Sequence, residues 1–310
     1  MKQQRSLVEY FWVLIKGMMM GAADAVPGVS GGTIAFITGI YEELIYSIRQ
    51  CNPAALGVLF KEGPKAFWRH INGNFLLALV AGIGTSIITL ASAVLYMLSN
   101  YPEVLWAFFF GLILASTWSI ARHIPTWNAA NSALFIAGGL IAFGITSVSP
   151  TQVEATPLMI LLSGAIAICA MILPGISGSF ILLLLGMYST VLMAVKTFDV
   201  TVIALFGLGA IGGLLLFSHV LHWLFANYRI PTLAVMSGFL LGSLNKVWPW
   251  KYTTSYTVDR HGEQIPLVQE NISPFNYTVM TGHEAYLVYA LAAFVVGMVL
   301  VLWIDRDHSE

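Results

Sequence analysis

Charge is what this sequence has least of. Only 9% of its 310 residues are Asp, Glu, Lys or Arg, while 58% are hydrophobic and the mean hydropathy is +0.80. So few charges cannot clothe a soluble globule of this size, and the chain reads as a membrane protein. The 14 basic and 15 acidic residues leave a net charge of −1. Nucleic acid is thereby excluded as a partner, because a phosphate backbone needs a clustered basic face. Cysteine is almost missing. Cys51 and Cys169 are too few for a disulfide framework or a metal cluster, and their apolar neighbours suggest small core filler. No Walker loop, zinc-protease motif or Ser-His-Asp order occurs, so nothing indicates ATP use or a catalytic triad. His219 and His222 share a helix face but lack a nearby Asp, Glu or Cys to complete a metal set, and are expected at the interface. Neither a cofactor nor a metal is called for. A cleavable leader is not expected, because the apolar start from Leu7 to Met20 carries Glu9 and Lys16 and meets no small-residue cleavage site.

Long apolar runs are plentiful. Stretches near Phe75 to Leu98, Val104 to Ala121, Ser132 to Val148, Val200 to Phe225, Pro231 to Val247 and Ala285 to Ile304 match the roughly 17 to 25 residues that a bilayer-spanning helix needs. Three of these runs follow each of two copies of a glycine-rich stretch. Pro27-Gly28-Val29-Ser30-Gly31-Gly32-Thr33 reappears 147 positions later as Pro174-Gly175-Ile176-Ser177-Gly178-Ser179, and seven of fifteen positions from Pro27 to Tyr41 are identical to their counterparts. Proline and glycine inside an apolar segment break a helix. Freed backbone groups at membrane depth must face protein or a watery cavity, so each copy is read as a re-entrant hairpin whose tip lies within the membrane.

The expected fold is therefore an all-α polytopic membrane protein with two inverted repeats, about 1 to 150 and 157 to 310, each a hairpin followed by three spans. The match continues in Gly111 to Ser116 against Gly238 to Ser243, with a longer loop, about Ser47 to Asn74, in the first half. Three crossings per half force the second half upside down. With both termini cytoplasmic, Lys2, Arg5, Lys16, Arg49, Lys61, Lys65, Arg69, Arg122, Arg229 and Arg306 lie inside, and Lys196, Lys246, Lys251 and Arg260 outside. That bias obeys the positive-inside rule. Three of the outside charges belong to one longer loop, roughly Trp248 to Glu284, or flank it, and Trp248, Trp250 and Tyr252 look like an interfacial anchor.

The hairpin tips carry the chemistry. After each Pro-Gly a helix restarts, and its first N–H groups lack partners and bear partial positive charge. Gly28, Gly31, Gly32, Gly175 and Gly178 allow close approach, while Ser30, Thr33, Ser177 and Ser179 add hydroxyls. Two such ends, with Pro27 and Pro174 as the breaks, would cradle a small anion such as a phosphate monoester. The plainer alternative is that they cap two helices and pack small residues at a crossing. Asp24, an ionisable group in an apolar setting, would take up a proton or a cation such as sodium, or simply cap the tip. Lys16, eight residues earlier, would pair with it or snorkel. Glu42, Glu43 and Arg49 close the first hairpin near the inner surface, where solvation is the ordinary fate of a charge. Arg122 beside His123 would greet a lipid phosphate or anchor the span.

The run from Gly21 to Tyr41, with Leu173-Pro-Gly-Ile-Ser-Gly-Ser-Phe180 and Gly186-Met-Tyr188, resembles the PopT family of bacterial polyprenyl-phosphate transporters along essentially the whole chain. The resemblance implies a carrier of undecaprenyl phosphate, the lipid on which envelope polymers such as peptidoglycan are built. It implies return of that lipid from the outer to the inner leaflet of the cytoplasmic membrane. Two other classes stay open. One is a phosphatase similar to the integral undecaprenyl-pyrophosphate phosphatases, whose Pro-Gly-x-Ser-Arg-Ser motif has arginine where this chain has Gly31 and Gly178. Stabilising charge in a transition state wants that arginine, whereas a carrier that must release its ligand does better without it. The other is an anion channel or exchanger resembling the chloride-channel family, though its Gly-Ser-Gly-Ile-Pro order is missing here.

Overall fold

The computed structural model describes residues 5–24, 26, 29–150, 153–258 and 264–306. The first half comprises α1 (Leu7–Asp24), α2 (Gly31–Ile37), α3 (Tyr41–Gln50), α4 (Pro53–Glu62), α5 (Pro64–His70), α6 (Gly73–Thr89), α7 (Ala91–Asn100), α8 (Pro102–Arg122) and α9 (Ala129–Ser147). The second comprises α10 (Pro157–Ile172), α11 (Gly178–Leu184), α12 (Tyr188–Thr197), α13 (Val200–Asn227), α14 (Arg229–Ser243), strands β1 (Lys251–Val258) and β2 (Gln264–Asn271), α15 (Pro274–Thr281) and α16 (Leu287–Arg306).

Each half opens with the same broken unit. Helices α1, α2 and α3 have 18, 7 and 10 residues, and α10, α11 and α12 have 16, 7 and 10. Local chemistry starts many of the helices that follow: Asn52 caps α4, Asn128 caps α9, Thr156 caps α10 and Asp199 caps α13, with proline in the first turn of α4 and α10. The middle helices pair in matching ways. α1 packs along α6 and α10 along α13, while α8 pairs with α16 and α14 with α9, so partners are exchanged between halves. Small residues permit these crossings. A Cβ on Gly209 would collide with the Leu161 carbonyl, and one on Gly238 with the Phe135 carbonyl.

Polar contacts mark two ends of the bundle. At one end Arg5 grips Glu43 through two bonds of 2.8 and 2.6 Å, Asn72 also donates to Glu43, and Arg229 meets Glu42 at 2.9 Å. Helix α14 runs from Arg229 to the other end, where Asn245 donates to Ser147 at 3.2 Å and Asn271 donates to the Asn245 carbonyl at 2.8 Å. The main core forms around the first hairpin: Val26, Val29, Ile34, Tyr41, Phe75, Ile113 and Leu240 are buried together. The outer faces are apolar instead, with Leu140, Leu216 and Val288 largely exposed, as expected of helices that meet lipid.

Several expectations need correction. Among the described residues three helices, α8, α9 and α13, are long and apolar enough to cross a membrane, or up to five spans if two sharply bent pairs each count as one. The run from Phe75 to Leu98 breaks at Leu90 into α6 and α7, and Pro231 to Val247 reduces to the 15-residue α14, so hydropathy overstated both. The stretch Ser47 to Asn74 is not a loop but holds α4 and α5, the latter bent 69° against α6. The loop after Trp248 holds an antiparallel hairpin, in which Lys251 faces Asn271 and Val258 faces Gln264. A single two-stranded hairpin is thus added to an otherwise helical membrane protein. Thr253, Thr254, Tyr252 and Tyr256, β-branched and aromatic, favour a strand, a signal that the loop reading passes over. Cys51 is exposed at the end of α3 rather than core filler, and Cys169 is half-buried.

Candidate functional site

The short helix α2 lies between two charged side chains of α1. The N–H of Gly31, its first residue, donates to Asp24 Oδ1 at 2.6 Å, and Lys16 Nζ donates to the carbonyl of Thr38, just past its last turn, at 2.7 Å. Eight residues of α1 rise about 12 Å and the seven of α2 about 10 Å. One charge therefore meets each end, and α2 runs back antiparallel to α1. The signs complement the helix dipole, with carboxylate at the positive end and ammonium at the negative end. Lys16 thus reaches a backbone carbonyl instead of Asp24.

The tips meet directly. Ser30 caps α2, accepting from the Gly32 N–H at 3.1 Å, and its hydroxyl donates to the carbonyl of Met171 in the second copy at 2.6 Å. Thr33 Oγ1 accepts from the Gly175 N–H at 2.8 Å. Ser30 and Thr33 are fully buried. Two glycines make this approach possible: a Cβ on Gly32 would lie 2.5 Å from the Ile172 carbonyl, and Gly175 has φ of +94° with Ser243 and Phe239 against it. On the other tip the hydroxyls of Ser177 and Ser179 bond to each other at 2.8 Å, Gly178 rests against the Ala167 carbonyl, and Pro174 is buried. Pro27 and Gly28 lie outside the described residues. Asp24's counterpart by repeat is Met171, and here the two are unlike in use as well: Asp24 caps its own hairpin while Met171 offers a carbonyl to the other.

The remaining charges are spread out. Glu42 pairs with Arg229 in the open, a contact worth little by itself. Arg49 ends α3 near His222, whose ring tilts against Tyr46 at 5.9 Å. Arg122 ends α8. Among the described residues, neither Glu42 nor Arg49 bonds to Ser30, Thr33, Ser177 or Ser179. Glu43, read as merely solvated, is in fact buried and holds both Arg5 and Asn72. Glu103, also buried, accepts a bond from the Tyr277 hydroxyl. Of Lys246 and Lys251, which the sequence places only as charges of the poorer side, Lys251 is buried and Lys246 half-buried. Hydropathy alone does not signal such burial, because it depends on a partner distant in sequence. Among the described residues no three His, Cys, Asp or Glu gather to hold a metal.

Comparison with known proteins bears on this arrangement. A family model described as undecaprenyl phosphate translocase-like matches residues 20–265. A protein of Vibrio cholerae named polyprenyl-phosphate transporter is 50% identical over 299 residues, covering 96% of this chain and 97% of that protein. A protein of the same name from Staphylococcus aureus is 31% identical over 260 residues, covering 78% and 87%. No solved structure matches. The chain belongs to the undecaprenyl phosphate translocase-like family.

Proposed function

We propose that this family member carries a polyprenyl phosphate, undecaprenyl phosphate foremost, from the outer to the inner leaflet of the bacterial cytoplasmic membrane, with no chemical step. The observation that carries this reading is the 50% identity, across nearly the full length of both chains, to a protein named polyprenyl-phosphate transporter. An enzyme of the phosphatase kind is disfavoured, since both relatives are named transporters and Gly31 and Gly178 leave the motif without its arginine.

The phosphate is proposed to pass between the tips, on Ser30, Gly31, Gly32, Thr33, Gly175, Ser177, Gly178 and Ser179, with Pro27, Gly28 and Pro174 setting the breaks. Three donors there each have a protein acceptor now. Ser30 Oγ has Met171 O, the Gly175 N–H has Thr33 Oγ1, and the Gly31 N–H has Asp24 Oδ1. A phosphate oxygen offers the same kind of acceptor with more charge, so an entering head group would replace these bonds one for one. The interlocked tips are then the occluded state of an alternating-access cycle. Two inverted repeats would rock about it, the first hairpin opening toward the Arg5 end and the second toward the Lys246 end. Cytoplasmic termini put the Arg5 end inside. Displacement of Asp24 from Gly31 provides a place where a proton or sodium ion would couple to transport, with Lys16 holding the far end of α2.

The test is reconstitution. In proteoliposomes loaded with a fluorescent polyprenyl phosphate, the protein should speed movement of the lipid between leaflets, and Ser30→Leu should stop it. A wild-type protein that leaves the lipid where it was would end the transport reading.

A further inference from the structure

At the end of the bundle opposite Arg5, a polar cavity of about 250 Å³ opens between the end of α9, helix α11, the turn after α14 and the β-hairpin; Ser147, Phe180, Asn245, Lys246, Lys251 and Glu270 are among its walls. Two ammonium groups meet there. Lys251 is only 9% exposed; its Nζ donates to the Lys246 carbonyl at 2.6 Å and stands 3.6 Å over the ring of Trp106. Lys246 Nζ lies 4.3 Å over the ring of Phe180. Among the described residues neither makes an ion pair, and Glu270, the carboxylate of the lining, is exposed.

This arrangement is costly as it stands. A buried ammonium such as Lys251 wants a counter-charge or a full set of acceptors, and the half-buried ammonium of Lys246 close by repels it. Aromatic faces compensate in part, but among the described residues Lys251 Nζ has one acceptor and Lys246 Nζ none. The charges also fall on the side that the positive-inside bias leaves poor, so topology does not account for them. What would satisfy both at once is an oxyanion with two negative charges. The place is apt as well, because Phe180 directly follows Ser177, Gly178 and Ser179 of the second tip.

We propose that this cavity is a phosphate-monoester site in which Lys246 and Lys251 clamp the head group of the lipid before it passes to the tips. The identity of the lipid rests on the transport reading above, but the oxyanion chemistry does not. On the cytoplasmic-termini topology the site faces the outer leaflet, and it serves to collect the head group there. The β-hairpin, which contributes Lys251, is then part of the binding machinery rather than a decorative loop.

Purified full-length protein in detergent would be titrated with farnesyl phosphate, farnesol and inorganic phosphate, following fluorescence and melting temperature. Farnesyl phosphate should bind, and Lys246→Gln and Lys251→Gln should each weaken it about tenfold or more, the loss expected for one charge-assisted hydrogen bond. Lys246→Arg should restore most of the binding, and farnesol should not distinguish the variants. In the wild-type protein the lipid should also shield Lys246 from an amine-acylating reagent, read by mass spectrometry, which keeps the test valid should a variant misfold. Undiminished binding in folded glutamine variants, or no shielding, overturns the cavity while leaving transport untouched. Inorganic phosphate that binds and shields as well as the lipid would overturn the head-group assignment in favour of free phosphate. Farnesyl phosphate binding to no form of the protein would instead count against the transport reading itself.

Discussion

The hydroxyl of Thr33 accepts a 2.8 Å hydrogen bond from the backbone N–H of Gly175, 142 residues away, and both groups are buried. Two copies of one motif are thereby tied together through unlike members: a side chain of the first and a backbone amide of the second. With Ser30 donating to Met171, the tie is double.

Replacing Thr33 by valine keeps the shape and removes the acceptor. The Gly175 N–H would stay buried without a partner, a loss of about 1–3 kcal/mol. Thermal unfolding in detergent should show T33V less stable than wild type, and Thr33→Ser, which keeps an oxygen, should recover much of the difference.

Asp24 is expected to separate charge from capping. Asn at this position can still accept from the Gly31 N–H but loses the charge at the helix end, worth about 0.3–1 kcal/mol. D24N should therefore melt close to wild type and D24A clearly below it. If Asp24 couples transport to an ion, D24N should also fail in the leaflet-exchange assay. Normal exchange by D24N would leave Asp24 as a cap only.

Glu43 holds Arg5 and Asn72 together across three segments. Because Arg5 retains 28% side-chain exposure, the pair is partly screened, and Glu43→Ala should cost about 1–3 kcal/mol, below the loss for a fully buried pair. Limited proteolysis should then cut the segment from Arg49 to Asn74 faster than in wild type.

Gly238 packs its backbone against the Phe135 carbonyl. Gly238→Val forces α14 away from α9, and overpacking of this kind costs about 1–3 kcal/mol. A lower melting temperature is expected, and a disulfide trap between the ends of these helices, at Ser147 and Asn245, should form less readily.

Burial pushes the Lys246 ammonium down to about 8, and Lys251 lies well below the usual amine range through burial and the neighbouring Lys246. Lys251 on β1 and Glu270 on β2 are the charged groups that share the cavity with Lys246; the stretch at the end of α9 from Thr146 to Pro150 brings none. A bound phosphate favours the protonated amine. Affinity for farnesyl phosphate should therefore fall as pH rises through about 8, and K246R should shift that fall to higher pH. A flat profile from pH 7 to pH 10 would argue against Lys246 as a ligand contact.

Much was legible before folding. The shortage of charge and the apolar runs announced a membrane protein, and Pro-Gly inside two further apolar segments announced the breaks, because proline and glycine act on their own backbone. The repeat located both tips to the residue. The β-hairpin after Trp250 has a local signal too, in its threonines and tyrosines, which a reading by charge and hydropathy passes over. Span lengths were read poorly. Hydropathy sums side chains and does not register that Leu90 ends one helix and begins another.

The sequence by itself therefore determined the class of protein, the two broken units and the identity of the residues at their tips, since all three follow from local backbone preference and bulk hydrophobicity. Only the tertiary structure decided what those residues touch. That Thr33 takes its bond from Gly175, that Lys16 serves Thr38 and not Asp24, and that Lys246 and Lys251 share one cavity are matters of long-range approach. The free energy of each depends on the dielectric and the partner that the other half of the chain supplies, and neither is encoded in the neighbouring residues.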